Sequence, residues 1–159
     1  MTEGKEQIRE MPILEAATAN DKETFLRIGQ EVAGRTYVPV TDFEKEMSRG
    51  PVLMIRHNGE TVGAVSYRKD EDGSIYLNTF TIDQKYQGQG IGKFALSQVL
   101  DLDDLKNAIK VWLVTHPDNT AAVALYESAG FKKGETKENY FDNGEPRLIL
   151  TLEHAKEEI

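Results

Sequence analysis

Cysteine is absent from all 159 residues, and that one absence excludes a disulfide framework, a thiolate nucleophile and any thiolate metal site. A reducing cytoplasm is the expected compartment. Long apolar runs are missing as well: nothing approaches the roughly 20 residues a membrane helix needs, and Met1 to Glu10 is charged where a secretory leader would be apolar. Neither membrane insertion nor export is expected. Positive charge is scarce, with 19 Lys and Arg against 27 Asp and Glu and a net charge of -8. Nucleic-acid phosphates are gripped by clustered cations, so nucleic acid is not an expected partner. An acidic surface tilts instead toward cationic ligands. Aromatic residues are few, and the single tryptophan, Trp112, stands inside a strand-like run, where sheet packing is expected rather than base stacking.

What is present suffices for one domain over residues 1–159, since 39% hydrophobic content can furnish one core. Pro12 to Ala16 reads as a first strand. Ala19-Asn20-Asp21 starts a helix that carries Phe25, Leu26, Ile28 and Val32 at helical spacing and stops at Gly34. Thr41-Asp42 caps a short second helix through Met47, closed by Gly50-Pro51. Val52 to His57 and Thr61 to Arg68 flank Asn58-Gly59, a strong hairpin signal, and the acidic loop Asp70 to Gly73 turns into a strand from Ser74 to Ile82. A helix from Ile91, an acidic stretch Asp101 to Lys106, a strand Lys110 to Thr115 and a helix Thr120 to Ala129 closed by Gly130 follow. Asn143-Gly144 turns the chain into a last strand, Pro146 to Leu152, and Glu153 to Ile159 reads as a frayed polar tail.

The most informative stretch is Gln87-Gly88-Gln89-Gly90-Ile91-Gly92-Lys93, where strand gives way to helix. Closely spaced glycines leave backbone N–H groups uncovered, and a helix start adds unpaired donors and the positive end of the peptide dipoles, so the junction suits a pyrophosphate. A tight turn with no ligand would use the same glycines. The triphosphate loop G-x-x-x-x-G-K-[ST] fails twice, at Gln87 and at Phe94. The dinucleotide pattern G-x-G-x-x-G/A can be written over Gly90 to Ala95, but the next strand runs into His116-Pro117, with no acidic residue to hold a ribose.

Phe80 to Gly92 resembles the acetyl-coenzyme A signature of the GCN5-related N-acetyltransferases, Q/R-x-x-G-x-G/A, with Gln87, Gly90 and Gly92 in the matching places. Asn119 to Phe131 is similar to a second element of that family, N-x-x-A-x-x-L-Y-x-x-x-G-F. The close likeness covers Ser74 to Phe131. It implies an α/β (α+β) fold: a mixed, mostly antiparallel sheet of about six to seven strands and about four helices, with strands four and five splayed apart. It also implies acetyl-CoA as cosubstrate with no metal, and direct transfer of acetyl to an amine. A homodimer is compatible with it.

By the same resemblance, Phe80 and Ile82 bind pantetheine through backbone, and Gln87, Gly88, Gln89, Gly90, Ile91, Gly92 and Lys93 cradle the phosphates. Tyr126 gives its proton to the departing thiolate. Asn119, two helical turns earlier on the same helix face, joins it at the coenzyme; it also has the form of a helix cap. The base is not identified. Asp83, Glu31 and Asp42 are candidates, each read first as a solvated surface charge, and His116 is read as a turn residue before proline. For the acceptor, a small cationic amine such as a polyamine is the first expectation. A protein amino terminus or lysine, an aminoglycoside, and a silent acyl-CoA-binding sensor are the alternatives.

Overall fold

The computed structural model describes residues 11–154. Its sheet grows from the Asn58-Gly59 turn, where both residues take positive φ (53° and 79°) as a tight hairpin requires. That turn joins β2 (Val52–His57) to β3 (Glu60–Lys69). β1 (Ile13–Ala16) lies outside β2, and the loop ending at Gly73, φ 91°, swings the chain into β4 (Ile75–Ile82) on the other side of β3. These four strands are antiparallel. With β5 (Lys110–Thr115), β6 (Lys132–Lys137) and β7 (Arg147–Glu153), the sheet has seven strands in the order β1-β2-β3-β4-β5-β7-β6.

Among the described residues the one parallel junction, β4 with β5, pairs only Ile75 with Val111 and Tyr76 with Trp112. Beyond those two rungs β4 runs on to Ile82, while β5 keeps its full ladder with β7 through Thr115 and Leu148. The strands therefore diverge and leave a wedge between them, as the resemblance implied. Trp112 packs on Tyr76, ring centroids 4.3 Å apart, and donates to Asp70 at 3.0 Å. Sheet packing is indeed its role.

Two layers of helix cover the sheet. On one face α3 (Ile91–Leu100) buries Ile91, Ala95, Leu96 and Val99, and α5 (Thr120–Ser128) buries Val123 and Tyr126, all against the main core. A smaller cluster on the other side joins α1 (Lys22–Val32) to α2 (Phe43–Arg49) through Phe25 and Phe43, edge to face at 5.3 Å, over Met54 and Ala64.

Some expectations need correction. The acidic stretch contains a helix of its own, α4 (Asp103–Lys106), which anchors Leu105 in the core; among the described residues it is one of five α-helices, in keeping with the expected number of about four. The chain after Leu152 is not all frayed: Glu153 still pairs with Lys110 at the end of β7, where ladder bonds hold a polar residue that hydropathy alone reads as tail. Residues 155–159 of that expected tail, and the charged amino end 1–10, lie outside the described residues.

Candidate functional site

The wedge is lined from the β4 side by backbone. Asp83 N–H donates to Val62 O on β3, so by the alternation of an antiparallel ladder Phe80 and Ile82 turn their own N–H and C=O groups toward the edge that β5 has left. The Ile82 carbonyl is accordingly met by a side chain and not a strand: Gln87 Nε2 donates to it at 2.8 Å. Gln87 thus ties the glycine loop to the strand end. Gln89 stays on the loop, where it donates to Lys85 O at 3.4 Å.

Gly90 is the residue before α3 and sits in the left-handed region, φ 84°, as does Gly88 at 80°. A Cβ at either position would project into open space. The backbone there is bare on its outer side, and the first N–H groups of the ten-residue α3 have no carbonyl within the helix to bond. Ile91 sends its side chain into the core, 5% exposed, while Lys93 is exposed. Gly92 faces Ile82 and Leu125 at ordinary contact distance.

From the opposite wall comes α5. Asn119 caps it by accepting from Ala122 N–H at 3.3 Å, and Tyr126 follows on the same face. The Tyr126 ring lies between Phe80 (6.3 Å) and Phe131 (5.6 Å). It is 7% exposed, its hydroxyl makes no hydrogen bond to another described residue, and burial pushes its pKa well above the ordinary phenol value.

These pieces enclose two cavities that meet at Tyr126. One, of about 450 Å³, is lined by Phe80, Ile82, Gln87, Gly88, Gly92, Asn119 and Tyr126 among others. Gln89, Gly90, Ile91 and Lys93 continue the loop beside it without lining it. The other, of about 520 Å³, shares Thr36, Tyr37, Phe80, Asn119, Ala122 and Tyr126, then extends past Glu46, Tyr76, Asn78, Phe141 and Arg147.

The second cavity holds what sequence reasoning missed. Glu46, on α2, is 6% exposed, and its Oε2 accepts from Ser66 Oγ at 2.5 Å and Asn78 Nδ2 at 2.6 Å. Two donors on one oxygen fix the position of the carboxylate inside the protein. The available signal was the i, i+3 pairing of Phe43 with Glu46, which puts a carboxylate on the buried side of a short helix. Tyr37 belongs to a segment with no periodicity, yet it lines both cavities, and burial raises its pKa to about 12.

The candidate bases sort clearly. Glu31 is exposed, paired with Arg27 at 3.1 Å, and outside both cavities. Asp42 caps α2 by accepting from Lys45 N–H at 3.0 Å and lies on the exposed rim of the second cavity. Asp83 is not a solvated charge: it is 1% exposed, accepts from Lys85 N–H and faces Arg27 at 3.3 Å. The cause is the short turn after β4, which folds its carboxylate inward against α1. Nor is His116 merely a turn residue. It is 1% exposed, its Nδ1 accepts from Asp118 N–H at 3.0 Å, and the proton this leaves on Nε2 is donated to Glu145 at 2.8 Å. Nδ1 fixes the turn that follows β5, and Nε2 joins that turn to the segment before β7.

The acetyltransferase (GNAT) family model matches residues 15–131. The [ribosomal protein bS18]-alanine N-acetyltransferase of Escherichia coli (strain K12) is 34% identical over 79 residues, 48% of this chain and 53% of that protein. The spermine/spermidine N(1)-acetyltransferase of Bacillus subtilis (strain 168) is 33% identical over 105 residues, 60% of this chain and 66% of that protein. The match thus spans about half the length of the first of these relatives. Among solved structures, the Escherichia coli ribosomal-protein-S18-alanine N-acetyltransferase superposes with a TM-score of 0.73 at 26% identity, covering 94% of this chain and 99% of that one. A GNAT family acetyltransferase from Elizabethkingia anophelis with acetyl-CoA bound reaches 0.72 at 19% identity, covering 90% and 98%.

Proposed function

We propose that this chain, which belongs to the acetyltransferase (GNAT) family, transfers acetyl from acetyl-CoA directly to the primary amine of a small molecule that arrives as an ammonium ion. The observation that carries the reading is the meeting of two cavities at one unpartnered, buried phenol, Tyr126. The residues present fit the coenzyme. The open backbone of Phe80 and Ile82 matches the amides of a pantetheine arm, as in strand addition to a sheet edge. The bare loop Gln87, Gly88, Gln89, Gly90, Ile91, Gly92 and Lys93 suits its pyrophosphate, with one cationic side chain at hand.

Bound acetyl-CoA supplies an acetyl thioester; transfer forms the N–C bond of an amide, breaks the C–S bond and releases coenzyme thiol. The chain's own residues must do three things. The 520 Å³ cavity must hold the amine, and its size is ordinary for a small-molecule site. Glu46 is the buried carboxylate there, so it holds the ammonium by charge and is the group that can accept the proton the amine must lose before attack. The pKa of Tyr126 stands above its ordinary value, so the phenol keeps its proton at neutral pH and gives it to the departing thiolate. No separate role for a metal enters this scheme.

The polyamine expectation drew on a net charge of -8 and on a loose likeness of the Phe80 to Gly92 segment to small-amine acetyltransferases. Around the cavity the balance differs: Asp42 and Glu46 are set against Lys45, Arg49 and Arg147. A single buried carboxylate supports one ammonium. A homodimer stays compatible with this reading and is not required by it.

Thiol release with a panel of amines tests the reading. Free coenzyme should appear only when acetyl-CoA and an amine are both present, in step with N-acetyl product. A chain that acetyl-CoA stabilises against melting, but that releases no thiol with any amine, is an acyl-CoA sensor instead.

A further inference from the structure

Arg147 opens β7 and lines the 520 Å³ cavity, yet it is only 2% exposed. Its guanidinium is satisfied by carbonyls alone: Nη1 donates to Pro146 O at 2.8 Å and Nη2 to Arg35 O at 3.4 Å. Among the described residues no carboxylate comes within 4.0 Å of it. The adjacent acid, Glu145, is already engaged by His116 at 2.8 Å and by Arg35 at 3.5 Å. Phe141 covers one face of the guanidinium, 5.4 Å from ring centroid to Cζ.

An arginine carries five N–H donors in a fixed fork, and two carbonyls leave most of that fork unused. Burying a cation without a counter-ion is costly. The cost shows in the lowered pKa, for which desolvation is the first cause. Surface charge has no part in this arrangement. A buried fork that faces a cavity and lacks an anion is built for one to arrive, and planar carboxylates are what such a fork matches in geometry. Lys45 and Arg49 border the same cavity and add to its positive side. Glu46, pinned by Ser66 and Asn78, supplies its negative side.

We propose that Arg147 receives a carboxylate carried by the acceptor, so that the acceptor is an amino-carboxylic acid, with its ammonium toward Glu46 and Tyr126 and its carboxylate on the Arg147 fork. This inference rests on the proposed amine acetylation and narrows its substrate class. It sets aside the polyamines, which have nothing to offer Arg147. The acetyl transfer itself is unchanged: the amine nitrogen gains the acetyl group, the thioester C–S bond breaks, and the carboxylate takes no covalent part.

The test uses the full chain with acetyl-CoA, reading kcat/KM for α- and ω-amino acids, for the carboxamide of each, and for diamines and polyamines. The parent chain should prefer the best amino acid over its own carboxamide by at least ~10-fold, the size of effect that loss of one charge-assisted hydrogen bond produces. In Arg147→Met, which keeps the apolar stem, that ratio should fall toward one, and Arg147→Lys should restore part of it. If Arg147→Met does not fold, the preference of the parent chain and the amino acid's protection of it against melting still decide. Equal rates for acids and carboxamides, or turnover of diamines and polyamines alone, overturn the inference while leaving amine acetylation intact. Release of thiol with no amine of any set overturns the proposed function and this inference with it.

Discussion

The two cavities that meet at Tyr126 are built from different materials. The 450 Å³ side is drawn mainly from two continuous stretches of chain, Phe80 to Gly92 with its exposed backbone and Asn119 to Tyr126 opposite, joined by Val32, Thr36 and Tyr37. The 520 Å³ side is assembled from side chains that lie far apart in sequence, Glu46, Asn78 and Arg147, with Tyr37 shared between the two sides. Backbone recognises what every ligand of a class shares, while scattered side chains recognise what distinguishes one ligand from another. The first side reads as a fixed socket for a common donor and the second as the part that selects the acceptor.

Tyr126 stands in both cavities, and removing its hydroxyl should give the largest effect. Tyr126→Phe keeps the ring contacts with Phe80 and Phe131, so stability and acetyl-CoA affinity should hardly move while kcat falls by ~10² to 10⁴-fold, the range of a general acid. The loss should appear in kcat and kcat/KM together where chemistry limits the rate. Because burial raises the pKa of this phenol, the proton it must donate is retained as pH climbs; kcat/KM should show no falling limb below pH about 10. Parent rates in the variant would mean that the thiolate leaves unaided.

Glu46→Gln probes the side-chain cavity alone. The amide oxygen can still accept from Ser66 and Asn78, so folding should survive, but the charge is gone. A loss of about 10- to 100-fold in kcat/KM for the amine is expected, with calorimetric affinity for acetyl-CoA unchanged. If coenzyme binding weakens equally, the division between the two sides fails.

Gly90→Val is the mirror of that variant. Its Cβ has room, so the penalty is conformational: a β-branched residue at φ 84° costs about 1–3 kcal/mol. If the loop shifts to escape that strain, acetyl-CoA affinity should drop by about 10-fold or more, read by calorimetry on folded protein, and the amine KM should change far less. Unchanged coenzyme affinity would remove the phosphate assignment.

The smallest effect is expected at the joint between the front helices and β4. Arg27→Met leaves the Asp83 carboxylate, 1% exposed, without its cation. Arg27 is itself 45% exposed, so water replaces part of what is lost and the cost should be about 1 kcal/mol in denaturant unfolding.

The same contrast explains how much of the molecule could be read from its residues. Strand and helix order followed from period, caps and the Asn58-Gly59 turn, while the proposed socket rested on the family resemblance that the glycine loop carries, because backbone function leaves its mark in adjacent residues. Arg147 left none, and Glu46 left only its i, i+3 spacing from Phe43. One of two acids in a short helix and a lone arginine opening a strand look like surface charges until α2 folds over β3 and the segment before β7 closes on Arg35. Asp83 and His116 were misjudged for the same reason: burial by a distant element is a tertiary fact. The helix in the acidic stretch escaped notice because four residues give too few turns for a period to show.

The two-rung junction between β4 and β5 also makes the sheet a pair of leaves, four strands and three, sewn along a seam by Ile75–Val111 and Tyr76–Trp112. The rings of Tyr76 and Trp112, packed at a tilt, act as a rivet at its end. A pantetheine arm laid against Phe80 and Ile82 would add the rungs that β5 does not, so donor binding would splint the leaves as well as fill a socket. Amide protons along the free edge of β4 should then exchange markedly more slowly in the loaded protein than in the empty one, and those on the β3 side hardly at all.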